Sequence, residues 1–354
     1  MKKKLVTALV IIAIVLFIGF FILGNVIFAY KMNEENTDNI IIEGNSISLD
    51  SFTLRQKIAQ MIMIRGDSEN NLELIDLNVG GVFFDQQKTE KNYREKIREY
   101  QENSKIKLLI ATDLEGTWNP FVWFKEFPMN KDVKNETGAF NLGREQGELL
   151  KSLGFNINFA PVSEFEDDIY GGRAFSGDKE EIKGKLKAYI EGLQKSVFGT
   201  CKHYPGKGMI KNLHLERDEQ NISLEDLELF EYCVENNVTG IMVGHQIVNG
   251  ELNSNGRPSS VSKEVIETIP ENILIISDEV NMQGLKGFYP DKRGMYKDLI
   301  NSGNNLILDF KPDKKSSYKL ILELEQDVKN GKISEEKIDE SVIKILKLKG
   351  YEIV

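Results

Sequence analysis

A chain of 354 residues, 41% of them hydrophobic, can bury a core the size of one α/β barrel. Its formal net charge of −10 argues against nonspecific nucleic-acid binding. Two cysteines, Cys201 and Cys233, and three histidines make no zinc-binding spacing, so no metal is expected; the cysteines suit one disulfide or two free core thiols.

In chain order, Lys2, Lys3 and Lys4 precede an apolar run from Leu5 to Ala29. The run is long enough to cross a bilayer, and the upstream lysines favour a cytoplasmic N-terminus. Residues 1–30 are therefore expected to be a transmembrane segment, or else a signal peptide cleaved near Ala29, which would release a secreted protein. Residues 31–46, mostly polar, read as a tether. Residues 47–354 then form a single domain, placed outside the cell membrane.

Within that domain, Leu54 to Met63 carries apolar residues at helical spacing, and Val79 to Phe84 reads as a strand. A charged helix ends near Ser104, and Leu108 to Ala111 is a buried strand delivering Asp113. Helix, strand, helix and strand follow over Asn135 to Leu153, Asn156 to Val162, Glu180 to Lys195 and Gly199 to His203. Leu224 to Glu235 is a helix, Gly240 to Gly244 a strand, and Asn272 to Asp278 the clearest buried strand. A helix over Met295 to Ser302, a strand over Asn305 to Leu308 and a helical region over Leu320 to Lys347 close the chain. This alternation predicts a parallel sheet with helices outside it. Asp113, Lys202, His245 and Asp278 each end an apolar strand, where barrel enzymes gather functional groups. Singly, such a residue more often caps a helix or packs in the core.

The stretch Lys202-His203-Tyr204-Pro205-Gly206-Lys207-Gly208 resembles the signature loop of the family 3 glycoside hydrolases in their bacterial β-N-acetylglucosaminidase branch. That loop reads Lys-His-Phe-Pro-Gly-His-Gly, so Tyr204 and Lys207 are departures. Asn158-Phe159-Ala160-Pro161-Val162 is a further strong match. Asp113-Leu114-Glu115-Gly116, Arg173-Ala174-Phe175-Ser176-Gly177-Asp178 and Ser277-Asp278-Glu279 match supporting motifs. Glu164 stands where the family has an aspartate, and Trp118 where it has an arginine.

The resemblance implies a TIM-type (β/α)8 barrel with family-specific strand irregularities, here preceded by the transmembrane segment. It implies a retaining exo-β-N-acetylglucosaminidase with Asp278 as nucleophile and His214 as acid/base. Asn212 stands where the family's orienting aspartate would be. Asp113, Arg173, Lys202 and His203 are expected around the sugar, with His245 nearby and Trp118 stacking on a sugar face or filling the arginine's volume. No cofactor is implied. The expected partners are an N-acetylglucosamine-containing glycan or muropeptide and, through the N-terminal helix, the membrane. The rival expectations are a β-glucosidase or other exo-glycosidase of the family, and a tethered sugar-binding scaffold that has lost turnover.

Overall fold

A computed structural model describes residues 40–66, 71–165, 170–208 and 211–354. The chain divides into two units, Met1–Ile41 and Ile42–Val354, and the second holds a barrel. Its eight parallel strands are β1 (Ile62–Arg65), β2 (Gly81–Phe83), β3 (Leu109–Thr112), β4 (Ile157–Asn158), β5 (Phe198–Tyr204), β6 (Gly240–Val243), β7 (Leu274–Ser277) and β8 (Ile307–Asp309). They follow one another around the barrel in sequence order. β8 pairs back on β1 through Ile307 and Ile62, and a single bridge between Ile276 and Leu306 joins β7 to β8. Strands buried on both faces need continuous apolar runs, and all four residues of β3, β6 and β7 are buried.

The outer layer consists of α1 (Leu54–Gln60), α2 (Glu90–Asn103), α3 (Glu136–Leu153), α4 (Lys179–Leu193), α5 (Leu224–Glu235), α6 (Lys292–Ser302), α7 (Lys314–Lys329) and α8 (Glu335–Leu348). Their starts are written locally. Thr53 with Gln56, Asp178 with Glu181 and Ser223 with Asp226 form reciprocal capping boxes. Helices α3 and α4 approach closely because Gly143 and Gly192 face the partner backbone. A Cβ at either would lie 2.3 Å from a carbonyl oxygen, that of Tyr189 or Phe140. Inside the barrel, Met63, Phe83, Leu109, Phe159, Met242 and Leu308 form a buried cluster beneath the strand ends.

Three local differences from the sequence reading have physical causes. The first helix stops at Gln60, and Ile62–Arg65 is the first barrel strand. Met61 to Ile64 is apolar throughout, so helical spacing and a buried strand look alike there. Glu219–Ile222 and Ile247–Gly250 pair as a parallel ladder that polar residues conceal in the sequence. The C-terminal helical region is two helices, broken after Asn330 by Gly331 at φ +71°.

One larger expectation is corrected. No helix among the described residues is long and apolar enough to cross a membrane. The 18-residue α3 is amphipathic instead: Leu142, Leu150 and Leu153 are buried, while Arg144, Glu145, Glu148 and Lys151 form an exposed charged face. The run from Leu5 to Ala29 lies outside the described residues. The transmembrane segment, the membrane as a partner and the single-pass location are therefore set aside.

Cys201 and Cys233 form a disulfide, with a sequence separation of 32. It ties β5, which carries Lys202 and His203, to α5. Closing a loop of that length constrains the unfolded chain, so Cys233→Ala should lower the unfolding free energy by about 4 kcal/mol. Denaturant titration checks this. Reductant should reproduce the loss in the wild type and add nothing in the variant; equal stability of all four samples would contradict it.

Candidate active site

Two loops meet above β3 and β4. Asn158 of β4 accepts from the Leu114 N–H at 2.9 Å and donates to the Leu114 carbonyl at 3.0 Å, which pins the turn between Asp113 and Glu115. Gly116 follows at φ +88°, where a Cβ would come 2.7 Å from the Gly172 carbonyl oxygen. Only glycine lets this loop lie against the one that carries Arg173.

Lys202, near the end of β5, reaches both carboxylates. Its Nζ lies 2.7 Å from Asp113 Oδ1 and 2.5 Å from Glu115 Oε2. Arg173 approaches the other oxygen of Glu115 at 3.6 Å and stacks 4.3 Å over the Tyr170 ring. One ammonium cannot fully serve two carboxylates. Burial first, and then the charge of Glu115, push Asp113 up to about 6, although Lys202 acts against the rise. Glu115 is held below the usual carboxylate range: burial opposes this, and the charges of Lys202 and Arg173 outweigh it.

The next residue, His203, joins Lys202 through a cis peptide. Its Nδ1 lies 2.9 Å from Glu164 Oε1, and its backbone N–H donates to the same oxygen at 3.0 Å. Glu164 thus fixes both the ring and the backbone of His203.

Asp278 directly follows β7. One carboxylate oxygen accepts the Glu279 N–H at 2.7 Å. Burial would raise its pKa, but neighbouring His203 and His245, the Glu279 N–H and Lys202 together hold it below the ordinary carboxylate value. It is therefore ionised at neutral pH. His245 sits behind this turn, 1% exposed. Its Nε2 is 3.1 Å from the Glu279 carbonyl oxygen, which can only accept, so Nε2 carries the proton. Burial lowers the pKa of His245 and favours the neutral ring, leaving Nδ1 to accept from the Ser260 hydroxyl at 2.8 Å.

A cavity of about 440 Å³ brings Asp113, Arg173, Lys202, His203, His214, Trp118 and Asp278 together at the C-terminal end of the barrel. Two predicted residues fall outside its lining. His245 supports the Asp278 turn from behind. Asn212 does not reach the His214 ring among the described residues; its Oδ1 accepts the His214 backbone N–H at 3.0 Å. A larger groove of about 580 Å³ shares only Lys311 with this cavity and holds neither His214 nor Asp278. Glu115, Glu164, Tyr170 and Ser260 were missed as site residues. The signal for Glu115 was present, two residues beyond Asp113 at a strand end, whereas nothing in the sequence around Ser260 ties it to His245.

The Asp113 titration yields a test. From about pH 4 to 6 the folded chain keeps a proton that the unfolded chain has released. This contribution to stability is full below the ordinary value of 3.8 and is lost as pH rises through about 6. Glu115→Gln removes the like charge and leaves Lys202 to Asp113 alone, so the Asp113 midpoint should fall. Carboxyl-carbon NMR titration reads it, and an unchanged or raised midpoint would contradict the shared-cation account.

Residues 53–348 match the Glycosyl hydrolase family 3 N terminal domain. The chain is 27% identical over 240 residues to a beta-hexosaminidase of Photobacterium profundum, covering 60% of this chain and 70% of that protein. It is 24% identical over 303 residues to the beta-N-acetylglucosaminidase/beta-glucosidase of Cellulomonas fimi, covering 77% of this chain and 52% of that one. The structure of a glycoside hydrolase family 3 beta-N-acetylglucosaminidase from Paenibacillus sp. str. FPU-7 shares the fold. Its TM-score is 0.76 at 23% identity, over 84% of this chain and 62% of that chain.

Proposed function

We propose, for a chain that belongs to glycosyl hydrolase family 3 and is a glycoside hydrolase related to bacterial β-hexosaminidases, that it is a retaining exo-β-N-acetylglucosaminidase. Its material is peptidoglycan or muropeptide-derived sugar. The observation that carries this reading is an ionised Asp278 sharing one cavity with His214 and the Lys202-centred polar cluster.

In the first step an Asp278 oxygen bonds to the anomeric carbon while the bond from that carbon to the leaving oxygen breaks, and His214 gives that oxygen its proton. In the second, His214 takes a proton from water, whose oxygen displaces Asp278 and releases the sugar with its original configuration. Asp113 and Glu115 offer acceptors, and Lys202 and Arg173 offer donors, for hydroxyl groups. Trp118, 42% exposed at the cavity wall, offers a face for a sugar ring.

A second reading, sugar binding without turnover, draws support from Asn212, whose carboxamide oxygen takes a backbone N–H and, among the described residues, leaves the His214 ring without a carboxylate partner. A β-glucosidase reading draws on the double name of the Cellulomonas fimi relative. Hydrolysis of aryl β-N-acetylglucosaminide and aryl β-glucoside, measured side by side, separates the three. The proposal expects clear preference for the first. Equal or reversed preference favours a glucosidase, and binding of N-acetylglucosamine without turnover of either favours the second reading.

A further inference from the structure

We propose that Leu213 and Arg217 are positioning residues that clip the segment carrying His214 onto the turn that follows Asp278. The inference rests on the reading of His214 as the proton donor. The segment from Asn212 to Arg217 makes its own compact turn. Asn212 Oδ1 takes the His214 N–H, and the Asn212 carbonyl takes the N–H groups of Leu215 and Glu216 at 2.9 and 3.1 Å. Asn212 thus shapes the backbone that presents His214, with its Oδ1 on the His214 N–H rather than on the ring.

Such a turn, with His214 and Leu215 both exposed, has no direction unless something fixes it to the barrel. Two contacts do. Leu213 is 1% exposed and packs against Met282, and its carbonyl accepts the Gly284 N–H at 3.0 Å. A Cβ at position 284 would lie 2.7 Å from Leu213 Cδ2, so glycine there leaves the space that Leu213 fills. Four residues further on, Arg217 Nη2 donates to the Gly287 carbonyl at 2.6 Å, and its guanidinium lies 3.9 Å over the Phe288 ring.

Both anchors land between Met282 and Phe288, a stretch tied in turn to the candidate nucleophile. The Met282 N–H donates to the Glu279 carbonyl, which also receives the His245 Nε2–H, and Glu279 directly follows Asp278. The proton donor and the nucleophile are therefore referenced to the same few residues. Misplacing a catalytic group by about 1 Å can cost on the order of 100-fold in rate, so loosening either anchor should be felt at His214.

The test uses Arg217→Ala, Leu213→Ala, Leu213→Met and the wild type. Amide hydrogen exchange at Leu215 and Glu216 should quicken in both alanine variants and return toward wild type in Leu213→Met. Their kcat/KM should fall about 10- to 100-fold for substrates with poor leaving groups and barely change for activated aryl leaving groups, because only the former need the proton. A merely structural role would lower both substrate classes together. Unchanged exchange in the alanine variants overturns the clip. Faster exchange with no leaving-group dependence overturns the positioning role while leaving a working glycosidase. A wild type silent toward every N-acetylglucosaminide removes the donor reading of His214, and the positioning role with it.

Discussion

Asp278→Asn is expected to lower turnover of an aryl β-N-acetylglucosaminide by about 10⁴-fold or more, with a melting temperature close to that of the wild type. The carboxamide keeps an oxygen for the Glu279 N–H, so the turn after β7 survives, while the anionic nucleophile is gone. The smaller Asp278→Ala leaves room for azide, which should restore part of the rate on an activated substrate. The azide must attack from the side that Asp278 occupied, so the product should be the α-glycosyl azide. Near wild-type turnover in Asp278→Asn would move the nucleophile elsewhere. A large loss of stability with turnover intact would make Asp278 a cap of the following turn.

The second large effect is expected at His214. His214→Ala should lower kcat/KM by about 10² to 10⁴-fold for substrates with poor leaving groups, and only slightly for activated aryl glycosides. A plot of log kcat/KM against leaving-group pKa should steepen in the variant. Parallel slopes for variant and wild type would take His214 out of the first step. His214 lines the cavity, and no carboxylate contacts its ring among the described residues.

Much of the barrel was legible because parallel strands buried on both faces leave short apolar runs between amphipathic helices. The order from Val79 to Leu308 follows that alternation. The first strand was hidden because Met61 to Ile64 continues the apolar pattern of α1 without a turn residue between them. The ladder of Glu219–Ile222 with Ile247–Gly250 was hidden because its Glu219, Gln220 and Asn221 carry no apolar signal. At the site, Asp113, Lys202 and Asp278 stand out as polar residues that close apolar runs, whereas His203 and His214 come only from the family resemblance. Glu164 and Ser260 act on histidines 39 and 15 residues away in sequence, through contacts that only the fold creates. The resemblance puts Asn212 where the family's orienting aspartate would face the imidazole. Its carboxamide instead takes the nearer backbone N–H, a local competition to which asparagine is prone.

In the proposed reaction Asp278 becomes covalently bonded to the sugar. Incubating the wild type with a fluorinated N-acetylglucosaminide bearing an activated leaving group slows the second step more than the first, so the intermediate accumulates. Peptide mass spectrometry of the digested protein should then find one added fluorosugar on the peptide containing Asp278. A label on another residue, or steady turnover of the unfluorinated substrate with no labelled peptide, would contradict the account.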